Sequence, residues 1–155
     1  MQIIKISAGG DISLHEFSDD IGTLRALIGP ECNTAEHVRP MRLYTVLGGG
    51  AVCTWNQGEA VAMLVDEDGY YHDLPVNLIA SWLYETANHW YPILGDVLII
   101  GEYLNSDGIA FSGLCNTQIQ ILLPQLKILS DLTKRRTSRK YFIPPTGISA
   151  ISKVL

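Results

Sequence analysis

DVLIIGEY, residues 96–103, is a near-continuous apolar run. A strand with one wet face alternates apolar and polar positions, whereas a strand covered on both faces stays apolar throughout. Residues 96–103 are therefore the expected central strand. Working outward, EAVAMLV (59–65) and AVCTWN (51–56) read as strands around the turn Gln57-Gly58, after the flexible turn Gly48-Gly49-Gly50. QIIKIS (2–7) and DISLHEF (11–17), parted by Gly9-Gly10, read as a β-hairpin.

Two amphipathic helices are expected. The first covers about 20–28, with Asp19 or Asp20 as N-cap, a stripe of Ile21, Leu24, Leu27 and Ile28, and Gly29-Pro30 as its stop. The second covers 78–89, capped by Asn77 and showing Ile79, Trp82, Leu83 and Thr86 on one side. Residues 36–47 (EHVRPMRLYTVL) read as extended, broken or bulged at Pro40. Strands and helices mix without a βαβ rhythm. The expected class is α+β: a mixed, mostly antiparallel sheet with two packed helices and a C-terminal strand/helix appendage.

Of the 155 residues, 47% are hydrophobic and 17% charged. That composition suits one packed domain and excludes disordered, collagen-like, mucin-like and disulfide-scaffold classes. No apolar run reaches the ~18 residues of a membrane span, and MQIIKISAGGDIS holds no long apolar segment of a signal peptide. A cytoplasmic protein is expected. The thiols Cys32, Cys53 and Cys115 are odd in number and far apart, so they are expected to stay reduced.

Charge divides the chain. Residues 1–104 carry four bases and fourteen acids, net −10; residues 105–155 carry seven bases and two acids, net +5. Asn105-Ser106-Asp107-Gly108 reads as a linker between an acidic domain (1–104) and a basic extension (105–155). In the extension, TQIQILL (117–123) alternates like a strand. Pro124 opens a helix to about 134, the alternative being one kinked helix from 117. The last ~15 residues are expected to be loosely ordered.

Templates for chemistry are absent. There is no G-x-x-x-x-G-K-[ST], no G-x-S-x-G and no H-E-x-x-H. Read as a calcium loop, residues 66–77 place Asn77 where a bidentate Glu is needed. Glu85 and His89 lie four apart, too few ligands for a metal. No catalytic residue, metal or cofactor is assigned. His37, Arg39, Arg42 and Tyr44 form a basic point that could hold a small anionic group, unless nearby acids pair with it. Aromatics at Tyr44, Trp55, Tyr70 and Tyr71 could add a nucleotide pocket. Lys134, Arg135, Arg136, Arg139 and Lys140 could contact nucleic acid, or suit a helix C-terminus.

Leu24, Leu27, Ile28 and Gly29, then VDEDG (65–69), LPVN (74–77) and ILGDVLIIGE (93–102), occur in an order and spacing that resembles a family catalogued only as a domain of unknown function. Its members recur in phages, plasmids, conjugative elements and large DNA viruses. The resemblance covers about residues 1–103 and implies a small α+β domain with no established activity. With it, the leading expectation is a non-enzymatic accessory binding protein of a mobile element or virus. It would occupy a host protein or sequester a nucleotide-like ligand, with a homodimer possible and no membrane partner. The alternatives are a carboxylate- or metal-dependent hydrolase using Asp66, Asp68, Asp96 or Glu102, and nucleic-acid contact through the basic tail.

Overall fold

A computed structural model describes residues 1–47, 60–89 and 91–138. The expected strand 51–56, the turns at Gly48–Gly50 and Gln57-Gly58, Cys53, Trp55 and the tail with Arg139 and Lys140 lie outside the described residues.

The central apolar run forms β5 (Val97–Asn105). β1 (Gln2–Ile6) and β2 (Ile12–Glu16) make the N-terminal hairpin. β3 is Ala35–Val38, β4 is Ala60–Asp66 and β6 is Gly108–Ser112. The strand order is β2-β1-β5-β4-β3, with β6 on the C-terminal half of β5, and each of these pairings is antiparallel. Among the described residues three α-helices flank the sheet: α1 (Ile21–Ile28), α2 (Leu78–Tyr84) and α3 (Asn116–Ser138). The architecture is α+β with an antiparallel sheet.

Both faces of the sheet are covered, which explains why β4 is buried along its whole length. On one face Ile4, Ile6, Val61, Met63, Val97 and Ile99 meet Ile79 and Leu83 of α2 and Leu122, Leu126 and Leu129 of α3. On the other, Ile3, Ala62, Leu64, Leu98 and Ile100 meet Leu24 and Ile28 of α1. Asp20 caps α1 by accepting from the Gly22 and Thr23 N–H groups. Cys32 is a buried free thiol whose pKa is raised by that burial, and Cys115 is a half-buried one.

Three expectations are corrected. Residues 39–47 are not extended: Pro40 cannot donate to a ladder, and its carbonyl instead accepts from Leu43 N–H at 2.9 Å, leading into a π-helical turn at Leu43–Leu47. Helix α2 stops at Tyr84, where Glu85 takes φ 58°, and a 3₁₀ turn follows at Thr86–Asn88.

The third correction concerns residues 117–123; the C-terminal strand and helix are present as β6 and α3, and both pack on the domain. Asn105–Gly108 is the β5–β6 turn, with Asn105 Oδ1 accepting from Asp107 N–H and Gly108 at φ +117°. The expected strand 117–123 is the first part of α3. Its alternation coexists with a stronger helical stripe, Gln118, Leu122, Leu126, Leu129 and Thr133, all buried. Pro124 removes one bond inside this helix, the one to the Gln120 carbonyl. Both residues are exposed, so the Gln120 carbonyl that loses its donor is open to solvent. The Ser130 hydroxyl donates to the Gly10 carbonyl, fastening α3 to the β1–β2 hairpin.

Candidate functional site

His37, Arg39, Arg42 and Tyr44 do not converge. His37 on β3 and Arg39 just beyond it turn toward Glu102 on β5, across β4 where Ala60 and Ala62 leave room. Arg39 Nη2 lies 3.2 Å from Glu102 Oε1, and His37 Nε2 lies 3.8 Å from Oε2. The Glu102 side chain is fully buried, and among the described residues Oε2 has no hydrogen-bond partner. His37 also stands edge-on to Phe111, with ring centroids 5.8 Å apart.

Arg42 and Tyr44 serve the opposite face. Arg42 donates to the Trp82 carbonyl (3.0 Å), pairs with Glu85 (3.3 Å) and stacks 4.5 Å over the Trp82 ring. The Tyr44 hydroxyl donates to the Val61 carbonyl and accepts from Val61 N–H. These contacts close the core.

Three of the four carboxylates of the hydrolase alternative, Asp66, Asp96 and Glu102, each hold a different partner. Asp66 holds His72, Asp96 pairs with Lys5 (3.3 Å) and accepts from Ala8 N–H, and Glu102 holds Arg39. Among the described residues no group of three His, Cys, Asp or Glu side chains could hold a metal ion, and no helix is long and apolar enough to cross a membrane. In the basic segment Lys134 pairs with Asp11 (2.5 Å), while Arg135 and Arg136 lie in the last turn of α3.

The geometry instead gathers aromatic residues around one open cleft of about 1360 Å³. One wall is the turn that follows β4. Asp66 Oδ1 accepts from Asp68 N–H, Gly69 N–H returns to the Asp66 carbonyl, and Leu74 N–H to the Gly69 carbonyl. Gly69 lets the turn lie close to the other wall, since a Cβ there would come 3.1 Å from the Leu94 Cβ and push Leu94 back by a few tenths of an ångström. The turn presents Tyr70 and Tyr71, packed edge-to-face at 5.9 Å. The other wall is residues 91–94 with the end of α2, where Tyr84 stacks on His89 at 4.2 Å. Asn77 and Ser81 tie this wall to α2 through the Ile93 backbone. Val38, Val65 and Ile93 form an apolar floor.

No family model, no curated protein and no solved structure matches the chain. The chemistry of the cleft therefore rests on its own residues. Tyr70, Tyr71 and Tyr91 are 82%, 83% and 79% exposed, and Glu36, Glu67 and Asp73 are exposed beside them. Tyr70 and Tyr71 were legible as aromatics of a pocket. Tyr84, His89 and Tyr91 were not, although DEDGYYHD (66–73) and YETANHWY (84–91) are two polar, aromatic-dense segments flanking one short helix.

The turn bearing the tyrosines is fastened by a hydrogen bond between His72 Nδ1 and the buried Asp66 Oδ2, at 2.8 Å. That bond holds the His72 pKa above its usual value, aided by the charges of Asp66, Glu31 and Asp68 and opposed by partial desolvation. A histidine raised on folding adds stability below its unfolded pKa and loses it as pH rises through the folded value. Wild-type protein should therefore lose melting temperature as pH rises past the ordinary histidine value of about 6.5 and through the higher folded one, and the H72Q variant should lose less. Parallel melting curves of the two proteins would contradict this.

Proposed function

We propose that this protein is a non-enzymatic accessory binding module of a mobile element or virus, and that it acts by occupying a partner protein, one segment of which lies in the tyrosine cleft. The observation that carries this reading is the set of exposed rings, Tyr70, Tyr71 and Tyr91, at the mouth of a single cleft. Exposed aromatic clusters mark interaction surfaces, since each ring offers a large, rigid area at small entropic cost. The resemblance of residues 1–103 to a domain of phages, plasmids and DNA viruses supplies the setting.

Sequestration of a nucleotide is the weaker variant. A phosphate needs Arg, Lys or clustered N–H donors. The described cleft lining contains no Lys or Arg, and Arg39 and Arg42 are engaged with Glu102 and Glu85. A random peptide library displayed against the immobilised protein tests the reading. Enriched peptides should bind the combined Y70A, Y71A and Y91A variant at least about 30-fold more weakly, the loss of one interface hot spot. Peptides that bind this variant as well as wild type, together with nucleotides that raise the melting temperature, would reject it.

A further inference from the structure

We infer that the segment held in the cleft is basic, its Lys or Arg side chains lying between the exposed tyrosine rings and the carboxylates of Glu36, Glu67 and Asp73. This rests on the reading of the cleft as a protein-binding site and names the chemistry of its occupant. The three carboxylates are exposed, and none has a salt-bridge partner among the described residues. They come from separate parts of the chain: Glu36 from β3, Glu67 and Asp73 from the two sides of the turn that carries Tyr70 and Tyr71. Three carboxylates gathered on one opening, whose described lining holds no Lys or Arg, give it a negative potential.

Tyrosine faces add to the same preference. The ring quadrupole attracts ammonium and guanidinium groups, and the aliphatic stems of Lys and Arg pack on apolar surface while their heads reach polar groups. The apolar floor of Val38, Val65 and Ile93 suits those stems. An acidic or phosphorylated segment would meet these carboxylates with no Lys or Arg of the described lining to offset them. The complementary pair is thus a negative, aromatic cleft and a positive, flexible peptide.

The test measures binding of three labelled peptides of equal length to the full chain by fluorescence anisotropy: one alternating Arg and Ser, one alternating Glu and Ser, one of Gly and Ser. The Arg peptide should bind at least about tenfold tighter than the others. Its affinity should fall with added salt, and by a few-fold for each of E36Q, E67Q and D73N. These positions are exposed, so the variants should melt like wild type, which is checked in parallel.

Equal or tighter binding of the Glu or neutral peptide, lost in Y71A, would overturn the charge inference while leaving the cleft as a peptide site. Arg-peptide binding unchanged in Y71A and in all three carboxylate variants would overturn both. A gain in Arg-peptide affinity on removing residues 139–155 would identify the chain's own basic tail as the occupant and overturn an external partner.

Discussion

Truncation after Leu104 is expected to give insoluble protein. The deletion removes β6, which covers one edge of β5 along residues 101–105, and α3, which covers one face of the sheet. Leu114, Leu122, Leu126 and Leu129 are at most 1% exposed, and they pack on Ile4, Ile6, Val97 and Ile99. At about 2 kcal/mol for each buried leucine, these four contribute about 8 kcal/mol, against a total stability of about 5–15 kcal/mol for a domain. The truncated chain would also present an open strand edge to other copies.

A finer version of the test is L126A. Removing a fully buried leucine that meets both sheet and helix should cost about 2–5 kcal/mol, read as a lower urea midpoint at unchanged slope. I128A, on the exposed side of the same helix, is the control and should change little, since Ile128 is 56% exposed. A soluble 1–104 fragment melting within a few degrees of the full chain would show that the core closes without α3.

The charge reversal at residue 105 falls at the β5–β6 turn, between two strands that pair with each other. Charge reports the wet side of an element and says nothing of its other side. Helix α3 carries Lys127, Lys134, Arg135 and Arg136 beside a buried stripe four and three residues apart. The stripe was readable, but Thr117, Ile119, Ile121 and Leu123 also fit a strand, and Pro124 invited a break there. Only packing against β1 and β5 decides between the two periods. By contrast, DVLIIGEY and EAVAMLV could be placed centrally from composition alone, because burial on both faces leaves no polar alternation. Asp20 and Asn77 were readable as caps because a cap acts within three residues. Glu102 was legible only as an acid. Its arginine and histidine come from 63 and 65 positions earlier in the chain, a pairing created by sheet order. The cleft was half legible for the same reason: its two aromatic segments meet only once α2 folds back between them.

Asn77 shows how far a local reading understates a residue, and N77D should be among the most damaging single substitutions. Its side chain is fully buried. Oδ1 accepts from Ala80 N–H at 3.0 Å, the cap that sequence suggests. Nδ2 donates to the Ile6 carbonyl at 3.0 Å and to the Gly95 carbonyl at 2.9 Å, joining the end of β1, the turn before β5 and the start of α2. Gly95 has no freedom to compensate: it sits at φ +79°, and a Cβ there would fall 2.7 Å from Leu74 Cδ1.

Aspartate matches asparagine in shape and preserves the cap, so N77D isolates the two donated bonds. It replaces a donor by a buried anion facing two carbonyl oxygens, and a loss of about 3–5 kcal/mol is expected. N77A removes cap and donors together but buries no charge, and should cost about 3 kcal/mol. The two variants separate by pH. Burial and the facing carbonyls raise the pKa of the introduced carboxyl above its unfolded value. N77D is thus least damaged below that unfolded pKa, near 4, where the protonated acid can donate one bond, and loses stability as pH rises through the folded value. N77A has no group at that position to titrate. Urea unfolding of both variants and wild type at about pH 4 and pH 7 reads the difference. A penalty for N77D that is small, or the same at both pH values, would mean that the carbonyls of Ile6 and Gly95 find other donors and that the cap alone accounts for Asn77.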